Sequence, residues 1–596
     1  MVKASIAILR YEKSMRIRQR DFDSSLIGTL KLDNDVLERI LISRGIRKTD
    51  DLNKNLSRLP DPRSLKDIDK AINRLFRALM DNESLLIVGD FDSDGASSTA
   101  LMSLVLSEFG FKKIDYLVPN RFEFGYGLSK EIVAVAVESK PNLIVTVDNG
   151  ISSVEGVNLA NKHGIDCIIT DHHIAPEILP NAVALINPNQ RDCPFPAKNL
   201  AGVGVVFFFL VAFRKYLRDQ NWFADENIKE PNLANYLDLV AVGTISDLVP
   251  LDRVNRTLVY QGIKRIQNNH CRQGLKTLVD ICGVDRKYFS TQDIGYRIAP
   301  YLNAAGRLDD MSIGIKCLTS EDPKKSRDIA EQLEQLNIKR KNIQQIMQNE
   351  ANLEVDKLIK NQESDLPSVI CLFKEDWHEG IVGLIASRVK DNFDRPVFAF
   401  AQSKSGEIKG SARSIDGFHA RDAIQALSSL NPNLILKFGG HAKAAGLTIK
   451  RNSFKSFRDL IIKYFNDSFH VEILEQKYIT DGVLSSKNMN LDMAKSLRDA
   501  EPWGEGFPSP SFEGPFRIIE DKILMNKHLK FLLAPMNSPG LKFTAIHFNA
   551  DIEQWKQRDF EDIYCIYELD INNYRNFESL QLLIKFQKPL YKTIQE

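Results

Sequence analysis

The stretch Leu85-Leu86-Ile87-Val88-Gly89-Asp90-Phe91-Asp92-Ser93-Asp94-Gly95 decides how the first half of this 596-residue chain is read. An apolar run ends in a glycine and is followed by three aspartates at alternate positions. The run has the length of a buried strand, and an Asp/Ser/Gly cluster at its end is suited to capping a following helix. The same grammar returns downstream, where Leu143-Ile144-Val145-Thr146-Val147 leads to Asp148-Asn149-Gly150 and Ile165-Asp166-Cys167-Ile168-Ile169 leads to Asp171-His172-His173. Asp247, in Gly243-Thr244-Ile245-Ser246-Asp247, and His441, in Gly439-Gly440-His441, also follow apolar, strand-like runs.

Short apolar runs alternating with helical segments predict a parallel sheet, with ligands bound beyond the carboxyl ends of its strands. Strands are expected near 85–89, 114–118, 143–147, 165–169 and 183–186, with helices over 199–217 and 233–242. Carboxylates gathered at such ends repel one another and are costly to desolvate unless a cation neutralises them. Mostly oxygen donors with one or two imidazoles suit Mg²⁺ or Mn²⁺ better than structural zinc. The start of this loop also matches a calcium-binding EF-hand loop. Its twelfth position, however, is Leu101 where a bidentate Glu is needed, and a strand precedes it, which argues against calcium storage. A carboxylate-rich helix cap would explain one of the three aspartates but not all of them.

The bulk composition sets limits. Lys plus Arg (79) nearly cancels Asp plus Glu (78), so any surface for a polyanion must be a local groove. Seven scattered cysteines without a Cys-x-x-Cys pair argue against a disulfide framework or a zinc ribbon and fit a reducing cytoplasm. The basic run after the short apolar stretch Ser5 to Leu9 does not resemble a signal peptide, and no run approaches the ~20 apolar residues of a membrane span.

The pattern divides the chain into an N-terminal extension over 1–50, an α/β domain over 51–320 and a connecting helix over 321–366. A second α/β unit follows over 367–465, with a helix expected over 380–390, and a small β-barrel over 466–596. The helix is read from apolar residues at helical spacing between Pro323 and Lys360, and the barrel from alternating runs such as Leu529 to Leu533, Leu541 to Phe548 and Leu580 to Phe586. The fold class is thus α/β, with a doubly wound parallel sheet first and a barrel last.

Asp-Phe-Asp-Ser-Asp-Gly, Val-Asp-Asn-Gly and Asp-His-His resemble the opening motifs of the DHH phosphoesterase superfamily. Asn120-Arg121-Phe122-Glu123, Gly125-Tyr126-Gly127-Leu128, Asn303-Ala304-Ala305-Gly306-Arg307-Leu308, Trp377-His378-Glu379-Gly380, Arg413-Ser414 and Phe438-Gly439-Gly440-His441 narrow the resemblance to the RecJ family. That resemblance implies a DHH domain, a DHH-associated (DHHA1) domain and an OB-fold that together degrade single-stranded DNA from its 5′ end. It implies two Mn²⁺ or Mg²⁺ ions per site, held by Asp90, Asp92, Asp94, Asp148, His172 and Asp247, with Asp148 bridging. It places His173 at the scissile phosphate or behind the ligands, and makes Arg121, Arg307, Ser411, Arg413, Gly439, Gly440 and His441 the phosphate and 5′-end contacts. Ser93 stands where the family usually has Ala, and Phe124 where an acidic residue is common.

In the barrel, Tyr478, Phe516, Phe531, Phe543 and Tyr574 are the aromatics considered for base stacking, although aromatics in strands more often belong to a core. Two rivals stand beside the exonuclease. One is a DHH enzyme for small oligonucleotides or cyclic dinucleotides, and the other a non-catalytic single-strand-binding scaffold. The resemblance further implies a cytoplasmic monomer that works with single-strand-binding protein and helicases and has no membrane partner.

Overall fold

The computed structural model describes residues 16–120, 124, 127–361, 366–403, 406–469, 477–574 and 577–590. They form two compact units, one of Ile17–Gly306, Asp310–Leu333 and Ile479–Glu596, the other built mainly from Glu334–Tyr478 and including Arg307–Asp309.

The first unit is organised by five parallel strands: β1 (Leu85–Val88), β2 (Ile114–Leu117), β3 (Leu143–Val147), β4 (Asp166–Thr170) and β5 (Ala184–Ile186). Their order is β2-β1-β3-β4-β5. Every residue of β1 and β3 is buried, as expected of strands covered on both faces. On one face Leu86, Val88, Ile144, Cys167 and Ile169 pack against Ile132, Val133, Val157 and Ala160 of the helices Lys130–Glu138 and Val154–Lys162. The helix Ser93–Glu108 joins β1 to β2 in the opposite lateral direction, so a right-handed crossover sets it on the other face. Strand order therefore reverses between β1 and β3, which opens a crevice at their carboxyl ends. The Asp90 loop and Asp148 emerge at that crevice.

Two further helices contribute long buried faces to this unit's core. Gly202–Asp219 begins three residues later than the hydropathy pattern suggests, because Asn199, Leu200 and Ala201 form the turn that leads into it. Leu237–Ser246 is buried along almost its whole length. The N-terminal segment is pinned by ion pairs: Arg44 grips Asp481 with two nitrogens at 2.7 and 2.9 Å, and buried Glu501 receives both Lys54 and Arg256.

Within the same unit the chain ends in a closed barrel, β11-β12-β13-β15-β14, of Phe512–Leu524 (β11), His528–Pro535 (β12), Phe543–His547 (β13), Asp562–Tyr574 (β14) and Phe577–Pro589 (β15). The β13–β15 pair is parallel and the others antiparallel, and bulges at Ile518/Glu520 and Ile566/Tyr567 bend the long strands round the closure.

The second unit carries a mixed sheet of Ile370–Lys374 (β6), Val397–Gln402 (β7), Ile408–Arg413 (β8), Lys437–Gly440 (β9) and Ala444–Ile449 (β10), in the order β9-β10-β8-β7-β6. One face packs on the helices Ala420–Leu430 and Phe454–Ser468. The other packs on the helix Val382–Phe393 and on Met347, Ala351 and Val355 of the 39-residue helix Pro323–Asn361. That long helix lies where the apolar spacing placed it.

Candidate metal centre

Three of the acidic groups at the crevice, Asp92, Asp94 and Asp148, are aimed by backbone devices. Asp92 caps the helix Ser93–Glu108, its Oδ1 accepting from Asp94 N at 2.9 Å and Gly95 N at 3.0 Å. Asp94 sits in the first turn of that helix and accepts from the N-terminus of another, with Gly202 N at 2.6 Å from Oδ2 and Val203 N at 3.0 Å from Oδ1. Asp148 leaves β3 with φ at +63°, a left-handed conformation that turns its carboxylate into the crevice. Gly202 stands against it so closely that a Cβ there would lie 2.5 Å from Asp148 Oδ1, which explains why this helix opens on glycine. Asn149 locks the turn by donating to Val88 O and Val147 O at 3.1 and 2.9 Å.

Asp171 organises rather than faces the crevice. Its buried carboxylate accepts from the N–H groups of Ile151, His172 and His173 and from His173 Nδ1, the last at 2.7 Å. Burial alone would raise this carboxyl, but the His173 hydrogen bond and both imidazoles outweigh it and hold the group down at about 2. Burial likewise opposes a charged His173, yet the Asp171 bond and the surrounding carboxylates carry its pKa up to about 9. With Nδ1 committed to Asp171, only Nε2 of His173 is left to meet a metal or a phosphate.

The ligand atoms converge in three overlapping groups, each within 4.8 Å: Asp90, Asp92 and Asp148; Asp94, His172 and Asp247; and Asp148, His172 and His173. His172 Nε2 lies 3.2 Å from Asp148 Oδ1 and 3.5 Å from Asp247 Oδ2. Burial, and then the neighbouring carboxylates, push Asp148 and Asp247 well above the ordinary range and Asp94 up to about 7, although Gly202 and Val203 oppose the last shift. Carboxylates packed this way either keep protons or share a cation. An oxygen-rich donor set with imidazole fits Mg²⁺ or Mn²⁺.

Two further expectations change. Asp247 does not follow a strand. It is the C-cap of the helix Leu237–Ser246, since an apolar run of this length is consistent with either element. Phe516 and Phe531 point into the barrel core, both 2% exposed, so neither is a stacking platform, while Phe543 and Tyr478 are half-buried. The side chain of Tyr574 and the whole of Arg121 lie outside the described residues. Phe124 packs on the sheet core, an apolar role that an acidic residue would not share. Ser93 is fully buried with its hydroxyl bonded to Ala299 O, so the family's Ala can be replaced without leaving a polar group unsatisfied.

In the second unit, Ser411 and Arg413 share one face of β8, with Arg413 Nη1 donating to Ser411 Oγ at 3.0 Å. Gly383, near the start of the helix Val382–Phe393, lies against both side chains. Arg307 Nη1 donates to Gly380 O at 3.1 Å, just before that helix. Gly439 pairs with Gly446, which pairs with Ser411, so a lane without side chains crosses the sheet edge. Gly440, at φ +132°, and exposed His441 end β9, with His441 N donating to Ala444 O. Exposed glycine backbone beside Ser and Arg is a setting for an anion.

The parallel sheet, its switch-point carboxylates and the DHH motifs define a phosphoesterase of the DHH type. The model of the DHH family N-terminal domain matches residues 84–244, the DHHA1 domain 366–467 and the RecJ OB domain 480–586. The chain is 43% identical over 573 residues to the single-stranded-DNA-specific exonuclease RecJ of Escherichia coli, covering 96% of this chain and 99% of that protein. Against its namesake from Salmonella typhimurium it is also 43% identical, covering 98% and 100%. The crystal structure of RecJ in complex with Mn²⁺ from Thermus thermophilus aligns over 97% of this chain and 80% of that one, with a TM-score of 0.79 and 25% identity. The chain belongs to the RecJ family.

Proposed function

We propose that this protein is a metal-dependent exonuclease that degrades single-stranded DNA from its 5′ end to mononucleotides, in recombination and repair. The convergence of Asp90, Asp92, Asp94, Asp148, His172 and Asp247 at the strand-order switch carries the reading, in a chain whose relatives are named single-stranded-DNA-specific exonucleases. Those residues would hold two Mn²⁺ or Mg²⁺ ions, with Asp148, which belongs to two of the ligand groups, shared between them. Bound divalent ions supply the Lewis acidity that activates water and neutralises a phosphodiester.

The chain's own groups supply placement. Asp92 and Asp94 are fixed by backbone amides, so little reorganisation accompanies reaction. His173, oriented by Asp171, presents Nε2 to the scissile phosphate. Arg121, Arg307, Ser411, Arg413, Gly439, Gly440 and His441 are assigned to the strand's phosphates and 5′ end, with Arg307 and Arg413 as charge-assisted donors. The barrel is assigned to binding the single strand, in a groove too narrow for duplex. Digestion of blunt duplex as fast as single strands would sink that last assignment. Single-strand-binding protein and helicases would supply the strand, and the enzyme would act as a cytoplasmic monomer. Among the described residues no helix is long and apolar enough to cross a membrane.

The test is digestion of a single-stranded oligonucleotide labelled separately at each end, with Mn²⁺, Mg²⁺ or EDTA, beside an Asp148→Asn protein. Asn is chosen because it tolerates the left-handed backbone. Metal-dependent release of mononucleotides from the 5′ end, absent in the variant, is expected. Release from the 3′ end overturns the polarity, turnover confined to dinucleotides moves the chain to the small-substrate DHH enzymes, and tight binding without cleavage makes it a scaffold.

A further inference from the structure

Ser93 lies between two of the clustered carboxylates, Asp92 and Asp94, and opens its helix, so its N–H has no partner within that helix. The partner is Asn303, whose Oδ1 accepts from Ser93 N at 2.9 Å. Asn303 belongs to the helix Ala299–Leu308, which is seated against the acidic loop at two further points. Ser93 Oγ donates to Ala299 O at 3.3 Å, and Gly306 passes so near that a Cβ there would stand 1.8 Å from Phe91 O. This close packing fixes the helix against the loop that carries the ligands.

An amide side chain accepts at its oxygen and donates at its nitrogen, and an N–H partner settles which end faces the loop. With Oδ1 committed to Ser93, Nδ2 must face away from that N–H. Among the described residues nothing accepts a hydrogen bond from Asn303 Nδ2, and the nitrogen is not sealed from solvent, since Asn303 is only half-buried. The result is a pair of uncharged donors on a side chain whose oxygen is tied to the residue between Asp92 and Asp94. A Lys or Arg in this place would be drawn into ion pairs with the carboxylates, whereas a neutral amide stays available to an oxygen of the substrate. Fixed donors of this kind stabilise negative charge without reorganising.

We propose that Asn303 Nδ2 donates a hydrogen bond to a non-bridging oxygen of the scissile phosphodiester, while Asn303 Oδ1 holds the metal loop. The proposal rests on the phosphodiesterase reading above and adds to it a substrate-contacting donor that also positions the loop. One side chain thereby registers substrate and ligands to each other.

Asn303→Asp separates the two duties, since it keeps an acceptor for Ser93 N–H and replaces the donor with a carboxylate oxygen. Asn303→Ala removes both. The measurements are kcat and KM on a single-stranded oligonucleotide, Mn²⁺ affinity by calorimetry and melting temperature. The N303D protein is expected to lose about 10²-fold in kcat/KM while keeping at least the wild-type Mn²⁺ affinity and its melting temperature. If it stays within about threefold of wild type in kcat/KM, or recovers at saturating Mn²⁺, the donor role is overturned and only positioning remains. A phosphorothioate at the scissile linkage gives a second readout, because sulfur accepts hydrogen bonds weakly. One diastereomer should slow the wild type more than the N303A protein, and equal slowing of both contradicts the proposal. Running the same comparison on bis(4-nitrophenyl) phosphate keeps the inferences apart: cleavage of that diester without cleavage of DNA defeats the substrate reading, while the Asn303 comparison still decides the donor.

Discussion

The acidic crevice of the first unit and the Ser411–Arg413 face of the second are opposites in charge and exposure. The crevice is largely buried and negative, with Asp92 and Asp94 fixed at helix N-termini, Asp148 by a left-handed turn, and Asp148 and Asp247 against His172. The sheet face is partly open and positive, built from the glycine backbone of the two outer strands and a serine and an arginine of the central one. A buried negative cluster is intrinsically unstable and acquires its purpose from a cation. An open donor face is stable in water and gains only when an anion arrives. The first should therefore govern turnover and the second affinity.

The largest expected effect separates them on that basis. Asp148→Asn should lower kcat by roughly 10³-fold or more and leave the DNA dissociation constant in EDTA nearly unchanged. The same change should raise the melting temperature of the metal-free protein increasingly as pH rises, because it removes a carboxyl whose ionisation burial and its neighbours oppose. Arg413→Ala should do the reverse. It should weaken single-strand binding by about 10- to 100-fold, lower the dependence of log K on log salt by about one ion, and change kcat far less. If Arg413→Ala abolishes turnover at saturating DNA, the contrast between the regions fails.

A pH titration sharpens the crevice half of the comparison. Asp94 is raised to about 7 and Asp148 and Asp247 are raised by burial and mutual repulsion. For a carboxyl whose folded pKa is raised, the extra stability is full below the unfolded value and is lost as pH climbs from there to the folded value. Metal-free protein should therefore lose stability as pH rises from the ordinary carboxyl value of 3.8 to the Asp94 value of about 7, with no further loss from this group above it. Mn²⁺ should bind more tightly over the same rise and release protons as it binds. Calorimetry in buffers of different ionisation enthalpy reads that release, and Mn²⁺ affinity independent of pH would contradict it. The smallest effect is that of Ser93→Ala, which removes one buried hydroxyl bond and should cost about 1 kcal/mol or less, read as a shift of a few degrees in melting temperature with turnover intact.

The two regions also differ in how far the sequence discloses them. Asp90, Asp148 and Asp171 end apolar strands that a parallel sheet must line up, so their convergence follows from periodicity and topology. Asp247 joins them from a helix end, where no periodicity marks it, and only its motif does. Arg307, Ser411, Arg413 and His441 are ordinary polar residues on a helix, a strand and a loop, and the sequence exposes them only by resemblance to a family. Alternation along a barrel strand reveals two faces without saying which is inner, so Phe516 and Phe531 look as available for stacking as Phe543 until closure of the barrel buries them. Asn303 stands in a family motif, but its pairing is invisible for another reason: the bond to Ser93, 210 residues away, is encoded by no local pattern.

The most direct measurement of the central claim is a count of Mn²⁺ ions bound by the full chain at neutral pH, for wild type and Asp148→Asn, followed in parallel with release of nucleotides from single-stranded DNA. Two ions are expected in the wild type, with loss of at least one in the variant and nucleotide release that appears only as the second ion binds. A full complement of ions in the variant, or nucleotide release without bound metal, would contradict it.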